Sequence, residues 1–184
     1  MKLNLGCGRN PKVGYVNLDR QALPGVQVVH DLEQFPLPFD DSLFDEIIGI
    51  DLIEHINDAL GLMQDLWRIA TPDATCTFAL PYGSSDDAWE DPTHVRPYFI
   101  NSWSYFSQPF YYRADYGFRG DWQPETVQLD VTCEGTTVDE IFAEVMALRN
   151  VVQRQTVTLR AMKPAREPLQ SLIVPPQVAF NRVG

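Results

Sequence analysis

Cysteine is scarce in this 184-residue chain. The three present, at 7, 76 and 133, are too few and too scattered for a disulfide framework or a cysteine zinc cluster. No uninterrupted apolar run approaches the roughly 20 residues needed to span a bilayer. The opening Met1-Lys2-Leu3-Asn4-Leu5-Gly6 is too short and too soon interrupted for a secretory signal. A cytoplasmic protein with no membrane partner is therefore expected. Basic residues are also few, 14 Lys and Arg against 25 Asp and Glu, and the net charge of −11 disfavours a broad phosphate-binding face. Nucleic acid is accordingly not an expected partner. What is present is the composition of a soluble globular protein, with length enough for one domain and a substantial core.

Five short strand-like segments occupy the first eighty residues. The first, residues 3–6, runs straight into Gly6-Cys7-Gly8. Glycines at the carboxyl end of a strand allow a sharp turn and a close approach of backbone to ligand. The second segment, residues 14–19, ends at Asp19. An acid there can accept hydrogen bonds from ribose hydroxyls or serve as a turn cap. Only about five residues around Pro11 separate these segments, whereas a parallel crossover normally takes a dozen or more and a helix. The first crossover helix is therefore missing or cut to one turn. A third β-rich run covers residues 26–32 and includes Asp31-Leu32. A fourth, residues 45–50, reads Asp-Glu-Ile-Ile-Gly-Ile, a continuous apolar run of the kind found in sheets buried on both faces. Asp51 follows it. Ala59, Leu62, Met63, Leu66, Trp67 and Ala70 then form one apolar stripe, predicting a core helix over residues 59–70 capped by Asn57 or Asp58. Residues 74–80 read as the fifth strand. Strands alternating with a helical crossover, with acids or glycines at their carboxyl ends, predict a doubly wound, mostly parallel α/β sheet.

The remainder is different. Residues 82–122 hold 13 of the 21 aromatics, mixed with Pro, Gly, Ser and Asp. This stretch reads either as a loop-rich cover over the sheet or as a substrate pocket, since long loops on an α/β scaffold commonly carry binding residues. Residues 125–133 alternate as a half-buried strand, Thr137-Val138-Asp139-Glu140 is a capping box opening a helix, and residues 151–162 form a last, antiparallel strand. Residues 163–184 hold four prolines and read as an irregular tail.

Taken in order, these motifs resemble those of class I S-adenosylmethionine-dependent methyltransferases. Asn4-Leu5-Gly6-Cys7-Gly8 looks like the family's first motif and Asn17-Leu18-Asp19 like its acidic second. Asp31-Leu32 and the run from Leu37 to Asp45 are similar to the segment preceding the fourth strand. Asp51-Leu52-Ile53-Glu54-His55-Ile56 and Leu66-Trp67-Arg68-Ile69-Ala70-Thr71-Pro72-Asp73 look like the next two blocks. Beyond Pro81 the likeness extends only to Asp91-Pro92-Thr93-His94-Val95-Arg96 and the last strand. The usual third glycine is replaced near Asn10, and the first crossover is shorter than in the family. The resemblance implies a Rossmann-like sheet of seven strands, the last antiparallel, with helices on both faces. It places a methyltransferase domain at residues 1–164, an aromatic-rich substrate or lid insertion at 82–123, and the tail at 165–184. It implies S-adenosyl-L-methionine as cofactor, with Leu5, Gly6, Cys7 and Gly8 lining the methionine moiety, Asp19 holding the ribose, Asp31 and Leu32 facing the adenine, and Asp51 near the methionine or the acceptor. No metal is implied.

The residue chemistry agrees, because acids suit a cationic sulfonium and its ammonium group. Methyl transfer needs chiefly proximity and alignment, with a base only if the acceptor must lose a proton. His94 is the candidate base, flanked by Asp91 and Arg96, though these three also read as a structural polar cluster. His55 beside Glu54 reads as a structural pair. The expected acceptor is a small molecule or a sugar. Two other classes are weighed. A nicotinamide oxidoreductase requires Gly-x-Gly-x-x-Gly and an acid about 20 residues on, but Pro11 stands at the third glycine and Asp19 comes too early. A non-catalytic methyltransferase-fold protein that binds cofactor or a partner chain is the alternative reading.

Overall fold

A computed structural model describes residues 1–183. Eight strands form one sheet in the order β3-β2-β1-β4-β5-β7-β6-β8. They are β1 Lys2–Leu5, β2 Val16–Asp19, β3 Val28–Val29, β4 Phe44–Ile50, β5 Ala70–Pro81, β6 Trp122–Val131, β7 Val152–Ala161 and β8 Gln177–Arg182. β7 is antiparallel to both its neighbours, β5 and β6, while every other pairing is parallel. The mostly parallel sheet, its antiparallel strand at residues 152–161 and the missing first crossover helix are as the sequence predicts. β3 is shorter than expected.

The eighth strand corrects the expectation of seven strands and an irregular tail. Thr126 to Val131 of β6 register with Gln177 to Arg182 of β8. Ahead of β8, the buried Asp121 carboxylate receives the Arg166 backbone N–H at 2.9 Å and its guanidinium at 2.8 and 2.9 Å. Four prolines make the segment look irregular, but only one of them, Pro176, immediately precedes the strand and none lies inside it.

The helices are α1 Ala59–Ile69, α2 Asp87–Glu90 and α3 Val138–Ala147. Asp58 caps α1 through Gly61 N–H at 2.8 Å, and the Thr137–Glu140 capping box opens α3 as predicted. One registered row of the sheet reads Leu5, Gly49, Phe78, Val157 and Val127, and the next reads Asn4, Ile48, Thr77, Thr158 and Thr126. Apolar and polar rows thus alternate face by face. α1, the aromatic segment and α3 all lie on the apolar side. Trp122 donates its indole N–H to the Met63 carbonyl at 2.9 Å, Trp103 stacks on Phe78 at 5.9 Å, and Phe142 meets Phe180 edge-on at 5.2 Å.

Among the described residues, the opposite face carries no helical layer of the kind that covers a doubly wound sheet. Thr75, Thr77, Thr156 and Thr158 are half-buried, Thr126 and Gln128 are exposed, and Ile50 is 46% exposed. The reading of β4 as buried on both faces is therefore corrected. The loop between β1 and β2 lies on this side, where Asn4 and Asn17 bond each other at 2.8 Å and reach the backbone of Asn10 and Lys12. A clean alternation of threonine with apolar residues is what a sheet with one solvated face requires.

Candidate functional site

Three of the predicted cofactor residues close the first two strands. Gly6 has φ +55°, and a Cβ there would lie 2.6 Å from Leu52 Cδ1. Both the left-handed backbone and the close packing therefore require glycine. Gly8, at φ +50°, has open space around it and donates its N–H to Asp19 Oδ2 at 2.8 Å. Asp19 Oδ1 accepts from Gln21 N–H at 2.9 Å. In place of a helix N-terminus, this loop presents a carboxylate tethered by two backbone donors. A carboxylate offers about four acceptor positions, so roughly two remain for a ligand.

These ends line a cleft of about 500 Å³ with Asp31, Leu32, Leu52 and His55, within the size range of small-molecule sites. Asp31 accepts from Glu33 N–H at 3.0 Å. The Glu33 carboxylate in turn receives Asn57 and Asp58 backbone N–H groups at 2.7 and 3.2 Å. Burial pushes the Glu33 carboxyl up, but these donors outweigh it and hold it below its ordinary value. The clamp ties the segment after β3 to the start of α1.

Gly6, Asp19, Asp31 and Leu32 thus border one cleft. The other four cofactor candidates stand elsewhere. Leu5 is fully buried in the core. Cys7 is 5% exposed, and its N–H is already used by the Leu18 carbonyl at 3.0 Å. Burial first, and then Asp19, raise its thiol above the usual range. Gly8 borders the cleft only through Asp19. Asp51, at φ +47°, is paired with Arg154 at 2.7 Å and lines an adjoining acidic cavity.

That second cavity, about 360 Å³, is bordered by Asp51, Glu54, His55, Asp87, Asp91 and His94. His55 borders both cavities. The segment carrying Asp91 and His94 is drawn in where Val95 N–H meets the Glu54 carbonyl at 2.8 Å. His94 is held through Nδ1, 3.2 Å from the Ala88 carbonyl, and its Nε2 lies 3.9 Å from Asp91 Oδ2. Asp91 Oδ1 accepts from the Thr93 N–H and hydroxyl at 2.8 and 2.7 Å, and these bonds hold its carboxyl below the usual range. Arg96 is not part of this group. Its guanidinium bonds the Asn57 carbonyl at 3.1 Å and borders a separate hollow with Tyr98, Tyr105 and Tyr116. Glu54, read from sequence as half of a structural pair, is 3% exposed, and burial pushes its carboxyl up.

Most of the aromatic segment is cover. Tyr98, Trp103, Phe106, Tyr111, Phe118 and Trp122 are buried against the apolar face. Only the stretch around residues 87–94 reaches the acidic cavity. Glu33 and Thr93 escaped the sequence reading, and His55 and Asn57 entered it only as a structural pair and a helix cap, because the partners that bring them to the cleft lie far along the chain.

No protein-family model matches the sequence, and no curated protein matches it. Solved structures do match. The YcgJ protein from Bacillus subtilis is similar with a TM-score of 0.55 at 15% identity, over 88% of this chain and 92% of that one. A SAM dependent methyltransferase from Archaeoglobus fulgidus gives 0.56 at 14% identity, over 86% and 85%. An S-adenosylmethionine dependent methyltransferase from Mesorhizobium loti gives 0.53 at 14%, over 86% and 89%. The chain has the class I S-adenosylmethionine-dependent methyltransferase fold.

Proposed function

We propose that this protein is an S-adenosylmethionine-dependent methyltransferase acting on a small-molecule or sugar acceptor. The observation that carries the reading is the convergence of Gly6, Asp19, Asp31 and Leu32 on one cleft at the carboxyl edge of a methyltransferase-type sheet, where open α/β sheets bind ligands. The donor set fits the cofactor. The free acceptor positions of Asp19 suit ribose hydroxyls, Leu32 offers an apolar face to adenine with Asp31 beside it, and the acidic surroundings favour a cation. When bound, the cofactor supplies a sulfonium methyl group whose transfer requires alignment rather than an acid.

The acceptor enters the acidic cavity that shares His55 with the cofactor cleft. His94 Nδ1 faces a carbonyl, which can only accept, so the neutral ring carries its proton on Nδ1 and leaves the Nε2 lone pair free. That nitrogen, 3.9 Å from Asp91 Oδ2, can take a proton from an acceptor. The chain's strong negative charge supports a small acceptor over nucleic acid. The test is turnover with a labelled methyl donor. His94→Ala is expected to slow transfer while leaving S-adenosylhomocysteine affinity nearly intact. Cofactor binding without transfer to any acceptor, in the wild-type protein, would favour the alternative of a non-catalytic binder.

A further inference from the structure

The acidic cavity also holds a buried carboxylate, Glu54, to which proton removal by His94 gives no role. Glu54 is 3% exposed, and neither carboxylate oxygen has a hydrogen-bond partner. A buried carboxylate without a donor or a counter-charge is costly, so its persistence calls for a ligand. Two imidazoles stand beside it. The His55 and His94 rings meet edge to face at 4.7 Å, and one ligand atom from each of Glu54, His55 and His94 lies within 4.8 Å of the others.

Both rings are oriented from behind. His94 Nδ1 lies 3.2 Å from the Ala88 carbonyl, and His55 Nδ1 lies 3.3 Å from the Thr93 carbonyl and 3.0 Å from its hydroxyl. The Thr93 hydroxyl proton is directed to Asp91 at 2.7 Å, so that oxygen accepts from His55. Each neutral ring therefore carries its proton on Nδ1 and presents a bare Nε2. Histidines that bind metals are held in this way, with the second nitrogen fixed by a carbonyl or carboxylate.

We propose that Glu54, His55 and His94 form a binding site for a divalent first-row transition metal ion. Two imidazoles and one carboxylate suit zinc, manganese, iron or cobalt, whereas magnesium and calcium favour oxygen ligands throughout. A metal with ligands at about 2.1 Å holds them roughly 3.4 Å apart in a tetrahedron, so closure from the present spacing takes about an ångström of side-chain movement. Asp51, Asp87, Glu90 and Asp91 border the same cavity and add the negative potential that concentrates cations. Three protein ligands leave positions for a water or an acceptor oxygen. In the metal-loaded protein the His94 lone pair is committed to the ion, and polarisation of an acceptor oxygen by the metal takes the place of proton removal by the ring.

The test is metal binding by the full-length, metal-stripped protein near pH 7, followed by equilibrium dialysis and calorimetry with Zn²⁺, and with Mg²⁺ in parallel. One equivalent of Zn²⁺ is expected, with Mg²⁺ far weaker. Glu54→Gln, His55→Gln and His94→Gln should each weaken Zn²⁺ binding at least 10-fold. Cooperative melting confirms folding of all three variants, and S-adenosylhomocysteine titration of Glu54→Gln and His94→Gln, which lie outside the cofactor cleft, keeps a failed metal site distinct from a failed cofactor site. Absence of stoichiometric Zn²⁺ binding in the wild type, or unchanged Zn²⁺ affinity in folded variants, would overturn the proposal.

Discussion

Arg166 and Asp121 form a bidentate ion pair, with Nε 2.8 Å from Oδ2 and a terminal nitrogen 2.9 Å from Oδ1. Asp121 is completely buried and also accepts Gln108 N–H at 3.0 Å. The pair joins the start of β6 to the chain leading into β8. Removing the cation leaves a charge stranded in the interior, which costs about 3–5 kcal/mol. Arg166→Ala should lower unfolding free energy by that order in a denaturant titration. A change below about 1 kcal/mol would mean that the C-terminal segment is not docked as described.

The one-sided sheet makes a paired prediction on adjacent residues. Leu129 is fully buried, whereas Gln128 is exposed on the polar face. Leu129→Ala should cost about 2–5 kcal/mol. Gln128→Ala should stay within about 0.5 kcal/mol. Comparable losses at both positions would indicate that the second face is covered.

The organisation of the first half was legible because its signals are local. Gly6-Cys7-Gly8, Asp19 and Asp31 close strands, and the stripe from Ala59 to Ala70 is read by period alone. The polar face was also written in the chain, as Thr75 and Thr77 around Cys76, and Thr156 and Thr158 around Val157. The Ile47-Ile48-Gly49-Ile50 run obscured it, since a continuous apolar stretch looks doubly buried. β8 was not legible, because it exists through pairing with β6, and Asp121 holds the approach to it from a distance. The Glu54, His55 and His94 cluster likewise depends on the fold bringing Val95 back to Glu54.

Glu140 gives a pH dependence. Its carboxylate accepts the Thr137 and Thr136 N–H groups at 2.9 and 2.7 Å and the Thr136 hydroxyl, which together hold its pKa at about 2. A carboxyl depressed in the folded state adds stability above its unfolded value, near 4.5, and loses it as pH falls towards about 2. Protection of the Thr136 and Thr137 amides, taken as their exchange rate relative to the intrinsic rate at each pH, should therefore be lost over that acid window. In Glu140→Gln the same amides should show no such acid step.

Gly6 and Gly8 separate two kinds of glycine requirement. Alanine at Gly8 faces only the left-handed backbone, a cost of about 1–2 kcal/mol. Alanine at Gly6 also places its Cβ only 2.6 Å from Leu52 Cδ1, on a side chain that lines the cleft. Gly6→Ala should lower the melting temperature more than Gly8→Ala and also impair cofactor binding. Equal effects would show that the packing of Leu52 over Gly6 is not needed.

The central claim is that the cleft bounded by Asp19 holds the methyl donor. Isothermal titration of the wild-type protein with S-adenosylhomocysteine, repeated on Asp19→Ala, tests it most directly. Loss of a charge-assisted acceptor should weaken binding by about 1–3 kcal/mol, roughly 5- to 150-fold, in a protein that melts cooperatively. Absence of binding in the wild type would contradict the cofactor reading. Unchanged affinity in a folded Asp19→Ala protein would place the ligand elsewhere.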